Sequence, residues 1–239
     1  MGVCSSRLDD DNAAIQYYFK AIELADGEDD EDVIKFEANY KLAIISSLQQ
    51  EYNNAIKYYL LALEYVGDDL MLKADCYRHI AFEYSDILNP NRDFTKAYEY
   101  YGKVDKIYNS ISNIDPFIKA DLYSTIARCC RSNLSTIPGQ NYYKAIEYYD
   151  KAINIYNSEI KKRGGKLDEK VIRDYIDSYG FKATSLEMLE KYEDAIEVRN
   201  VEKELLKQYD SQITDRQWYD LAIKVVNSSF SRCYKKLNE

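Results

Sequence analysis

Ala55-Ile-Lys-Tyr-Tyr-Leu-Leu-Ala62 returns four more times in altered form along this chain of 239 residues. The other copies are Ala14-Ile-Gln-Tyr-Tyr-Phe-Lys-Ala21, Ala97-Tyr-Glu-Tyr-Tyr-Gly-Lys-Val104, Ala145-Ile-Glu-Tyr-Tyr-Asp-Lys-Ala152 and Ala195-Ile-Glu-Val-Arg-Asn-Val-Glu202. The leading alanines recur at intervals of 41, 42, 48 and 50 residues. In four copies a small residue, an aromatic and a second small residue stand at i, i+4 and i+7, which is one face of an α-helix. Small residues let two helices approach, and the aromatic fills the gap towards the next repeat. The fifth copy has Arg199 and Glu202 at those places, as expected of an end repeat facing solvent.

Each of the last four copies follows another helix of apolar periodicity, over 33–50, 70–88, 115–133 and 168–189, with second small anchors at Ala43, Ala81, Ala127 and Ala183. Asn89-Pro90-Asn91 and Pro138-Gly139 fall inside pairs. Gly67-Asp68-Asp69, Asp115-Pro116 and Gly164-Gly165 fall between them. A last amphipathic stretch spans 215–237, and no segment alternates as a strand does. The expected fold is all-α: a right-handed superhelical stack of antiparallel helix hairpins. Its repeat cores lie near 13–25, 33–66, 70–111, 115–162 and 168–209, preceded by a flexible tail over 1–12, and the helical-repeat domain covers 13–239.

Composition narrows the function. Only 8 Gly and 3 Pro leave few tight turns, which excludes sandwiches and barrels. With 46% hydrophobic and 31% charged residues the chain has the composition of a folded domain. A net charge of −9 opposes binding to a phosphate backbone, so no nucleic-acid partner is expected. There is no spanning apolar run and no secretory leader pattern, and five irregularly spaced cysteines read as reduced thiols. Cys129-Cys130 read as small packing residues, and most of the 25 tyrosines as core and groove aromatics whose hydroxyls stay wet.

The single histidine, His79, leaves no parts for a Ser-His-Asp relay or a His-containing zinc cluster, and no P-loop occurs. No catalysis, cofactor or metal is expected. Lys161-Lys-Arg163 before Gly164-Gly165, with Lys166 after them, reads as the basic, glycine-stopped end of a helix. The acidic run Asp26–Asp32 reads as a solvated loop suited to the helix N-terminus behind it.

The small–aromatic–small signature following a helix with a small anchor resembles the tetratricopeptide repeat (TPR). Its length, with Ile80-Ala-Phe-Glu-Tyr84, the loop to Asp93, the helix to Lys103 and Tyr179-Gly-Phe-Lys-Ala183, is similar to the soluble NSF-attachment proteins (SNAPs). That resemblance implies a vesicle-fusion adaptor, with a SNARE-like helical partner in the concave groove. The alternative is a generic TPR adaptor in signalling or complex assembly. The chain departs from the SNAP pattern in ending at Glu239 without a leucine-tipped segment, and in carrying acidic residues where the membrane loop would be. In TPR stacks the first helix of each pair lines the groove. The anchors then place Tyr40, Ile44, Arg78, Phe82, Arg128 and Arg131 there, facing a helical or acidic protein segment. Ile44 and Phe82 stand where a carboxylate clamp needs Asn.

At the N-terminus, Met1-Gly-Val-Cys-Ser-Ser6 fits the myristoylation pattern at Gly2, with Cys4 placed for palmitoylation. One chain alone binds membranes marginally, and Asp9-Asp10-Asp11 closes the basic-cluster route to a second signal. The expected state is a cytoplasmic monomer, peripheral on the cytoplasmic side of a membrane.

Overall fold

The computed structural model describes residues 2–132, 139–164 and 167–239, with side chains from Asp10 onward. Among these residues ten α-helices and one short 3₁₀ turn occur, and no strand. They fall into two compact units, residues 1–112 and 113–239. The division falls between the repeat cores ending at 111 and beginning at 115.

The first unit holds α1 (Gly2–Leu24), α2 (Glu31–Leu48), α3 (Tyr52–Tyr65), α4 (Leu70–Ser85) and α5 (Phe94–Ser110). Two hairpins, α2/α3 and α4/α5, form its body, joined by packing of α3 on α4, and α1 lies against α2. Gly67 takes φ +57° between the hairpins, and Asp69 then caps α4 by accepting from the Met71 and Leu72 amides at 2.9 Å. Asn89, in the loop entering α5, is buried and donates to the Glu83 carbonyl at 2.8 Å. The Asp26–Asp32 run leads into α2, whose first turn holds Glu31 and Asp32.

The second unit holds α6 (Pro116–Ser132), α7 (Gln140–Arg163), α8 (Glu169–Met188), α9 (Tyr192–Tyr209), the turn Asp210–Gln212 and α10 (Arg216–Leu237). Here α6/α7 and α8/α9 are the hairpins, α7 packs on α8, and α10 packs on α9. Lys161, Lys162 and Arg163 end α7, and Gly164 stops it at φ +75°. Gly165, Lys166 and Pro138 lie outside the described residues.

The repeat signature sits at the helix–helix contacts. Ala43, Ala55, Ala62, Ala81, Ala97, Ala127, Ala145, Ala152 and Ala183 have no solvent exposure, and Tyr59, Tyr101 and Tyr149 fill the gaps beside them. Each such ring removes roughly 150–250 Å² from water. The tyrosine hydroxyls are not all wet, however. Tyr149 is fully enclosed and its hydroxyl finds no hydrogen-bond partner, so burial pushes its ionisation far upward.

Two sequence expectations need correction at the ends. Residues 2–12 continue the backbone of α1 and form no separate tail, because nothing between Gly2 and Ala14 breaks the helix. The fifth copy is also not the exposed one. Arg199 is 1% exposed and Glu202 is 4% exposed, since α10 covers them. The half-buried copy is the first, at Ala14, Tyr18 and Ala21, where α1 packs mainly against α2 and meets α3 through the Phe19–Tyr58 ring contact.

Candidate functional site

In the first unit the expected groove residues come together across α2 and α4. The Tyr40 hydroxyl donates to the Asp75 carboxylate, which also accepts from Arg78 Nη2 at 2.7 Å and has His79 Nε2 at 3.7 Å. The His79 ring stacks on Tyr59 with centroids 5.0 Å apart and stands edge-on to Tyr40. Burial pushes His79 down, against the pull of Asp75. Burial also works to raise Asp75, but the bonds from Tyr40 and Arg78 overcome it and hold the carboxyl below its ordinary value. Tyr40 and Arg78 are thus fixed in one network by the Asp75 carboxylate between them.

Ile44 is half-buried against the apolar cluster that includes Ala43, Ala55 and Ile80. One turn on, Ser47 Oγ donates to Glu83 Oε1 at 2.5 Å, tying α2 to α4. Phe82 beside it is 51% exposed. The face therefore presents an open aromatic next to a preset Tyr–Asp–Arg network, which suits recognition of a peptide segment.

In the second unit Arg128 is exposed and donates to Thr125 Oγ1 at 3.0 Å, while the Arg131 guanidinium lies 4.5 Å over the Phe181 ring of α8. A buried contact between Ser124 and Ser178 hydroxyls at 2.9 Å joins α6 to α8. Acidic groups surround Arg128. Burial raises Asp177 to about 6, with Asp174 adding to the shift and Arg173 and Arg128 opposing it. Burial also raises Asp174, with Lys170, Asp121 and Arg128 acting on it in turn. The face is mixed in sign, so part of the Arg128 field is answered by its own unit.

Sequence reasoning missed a buried ionic network in the fifth copy. Arg199 donates from Nε to Ser229 Oγ at 2.9 Å, from Nη1 to Glu202 Oε2 at 2.7 Å, and from Nη2 to Thr184 Oγ1 at 2.8 Å and Glu187 Oε1 at 3.2 Å. Ser229 also donates to Glu187, and Arg232 Nη2 reaches Glu187 Oε2 at 2.8 Å. A Cβ on Gly180 would stand 2.7 Å from Glu202 Oε1, so the absent side chain is the space this carboxylate occupies. Burial raises Glu202 to about 7 against the attraction of Arg199. The signal was present: a charge at a position where the other copies place an aromatic needs a covering helix that brings partners.

Gly2 and Cys4 lie outside the residues whose side chains are described. No helix among the described residues is long and apolar enough to cross a membrane.

Paired helices, small anchors and interleaved tyrosines define a TPR-like helical-repeat fold. Solved structures support that class: BtubC (BKLC) from P. vanneervenii superposes with a TM-score of 0.65 at 14% identity, over 86% of this chain and 76% of that one. The apo form of RapI gives 0.52 at 15% identity, over 99% of this chain and 96% of that one. No family model matches the sequence, and no curated protein matches it significantly.

Proposed function

We propose that this chain is a non-catalytic scaffold that binds a protein partner on the α2/α4 face. The observation that carries the reading is the exposed Phe82 beside the Tyr40–Asp75–Arg78 network: an apolar anchor next to a preorganised polar group is what a binding face needs. The likeness in fold to RapI and BtubC agrees with a helical-repeat adaptor. The non-catalytic part of the reading is supported by the single histidine, which is stacked on Tyr59, and by the raised carboxylates Asp177 and Glu202, which lie near arginines.

The test is a chain carrying Phe82→Asp with Arg78→Glu, compared with the wild type in affinity capture from native cells. Partners retained by the wild type should be lost by the variant at unchanged helical circular dichroism. Equal recovery by both chains rules out this face.

The narrower version, a SNAP-like vesicle-fusion adaptor with a SNARE-like helix as ligand, rests on the sequence resemblance. Attachment to the cytoplasmic face of a membrane rests on the motif at Gly2 and Cys4. Gly2→Ala should move the protein from the membrane fraction to the cytosol. An unchanged distribution removes that part of the proposal.

A further inference from the structure

The faces that line grooves in helical repeats are not the only concave surface here. Along α3 of the first unit, Asn53, Ile56, Lys57, Leu60, Leu61 and Glu64 form one stripe and, with Tyr84 of α4, line a surface cleft of about 380 Å³. The stripe spans twelve residues, roughly 16 Å of helix axis or three turns. Its floor includes Ile56, Leu60 and Leu61, and Leu60 is 40% exposed there.

The charge around the cleft is unusual for a chain of net charge −9. Lys57 lies over the Tyr58 ring at 5.6 Å, Lys96 of α5 over Tyr84 at 5.2 Å, and Lys103 over Tyr100 at 4.2 Å. Tyr84 and Tyr100 are themselves stacked, with centroids 5.9 Å apart, so the lysines stand on a rigid aromatic step. Fourteen of the described lysines and arginines form ion pairs, but these three pair with no carboxylate among the described residues. At the other end of the stripe Glu64 forms no ion pair with any described residue.

We infer that this α3/α4 cleft is a second peptide site, which takes an amphipathic acidic segment: an aliphatic or aromatic side chain over Leu60 and a carboxylate against Lys57 and Lys96. The reasons for a peptide are the size of the cleft, which matches one or two large apolar side chains, and its aliphatic floor. Glu64 and the net charge disfavour a continuous polyanion such as nucleic acid or an anionic bilayer. The inference rests on the scaffold reading but uses a different face.

The experiment is selection of a random 12-residue peptide display library on the intact chain. Winning peptides are then measured against the wild type, Leu60→Glu, Lys57→Glu with Lys96→Glu, and Phe82→Asp. The expected winners carry a Leu, Ile or Phe flanked by Asp or Glu. They should lose at least tenfold in affinity with Leu60→Glu and with the double lysine variant, keep it with Phe82→Asp, and weaken as salt rises. Winners without acidic bias, no winners at all, or winners that ignore Leu60→Glu overturn the inference. Winners lost only with Phe82→Asp overturn it too and leave the scaffold reading standing. Tighter binding of a single-stranded oligonucleotide or of phosphatidylserine vesicles at the same lysines also overturns it. Circular dichroism of each variant confirms that loss of binding is not loss of fold.

Discussion

The second and fifth copies of the repeat fill the same helical positions with opposite chemistry. In the second, Tyr59 is enclosed between Ala55 and Ala62 and packs on Tyr40 and His79. In the fifth, Arg199 is equally enclosed, and Glu202 replaces the second small residue. The aromatic version needs only small neighbours. The ionic version needs a glycine for space and four polar partners, one on its own helix and three on two further helices. One backbone geometry therefore accepts either a nonpolar or a fully bonded polar filling, and the cost of an incomplete set differs greatly between them.

The comparison breaks most sharply at Arg199. Arg199→Met leaves Glu187 and Glu202 buried with lost partners, and should destabilise the second unit by about 3–5 kcal/mol in urea unfolding. Arg199→Tyr with Glu202→Ala, which restores the pattern of the other copies, should recover much of that loss. A single Met variant within 1 kcal/mol of wild type would mean the network is dispensable.

A smaller effect is expected from pH. Glu202 is raised from 4.5 to about 7 in the fold. Between those values the native state holds a proton that the unfolded chain has released, so this group makes stability fall as pH rises from about 4.5 to 7. Asp177, raised to about 6, acts in the same sense. Glu202→Gln should flatten the urea midpoint across this window relative to wild type, by roughly 1–3 kcal/mol. Parallel profiles for the two chains would contradict a buried, protonating Glu202.

The smallest effect is at Gly180. Alanine is favoured over glycine inside a helix by about 1 kcal/mol. Here the added Cβ meets Glu202 Oε1 at 2.7 Å, so Gly180→Ala should instead destabilise, by roughly 1–2 kcal/mol net. A stabilised Gly180→Ala chain would show that the carboxylate moves aside freely.

Much of the fold was legible because small and aromatic residues report contacts that are local and periodic. Expected helices over 33–50, 70–88 and 168–189 differ from α2, α4 and α8 by at most three residues at either end. The errors lie where position in the stack, not the residue pattern, sets the environment. Arg199 looks like a surface residue until α10 is laid over it, and Ala14 looks like a core residue until α1 proves to be packed mainly on α2. The expected groove residues fall on α2, α4 and α6, but the side chains they meet there were not foreseen. That Asp75 holds Tyr40 and Arg78, and that Asp174 and Asp177 crowd Arg128, depends on side-chain reach between helices, which spacing along one helix does not report.

Gly180 also constrains how this chain can change. A step from Arg199 to Tyr strands two carboxylates, and a step from Glu202 to Ala leaves a hole beside a glycine. A side chain regained at 180 collides with Glu202 while that residue remains. Each single reversal passes through a weaker protein, although the endpoint resembles the sound packing of the second copy. The fifth copy is held apart from its siblings by the order in which substitutions can be made, and drift alone will seldom return it to the common pattern.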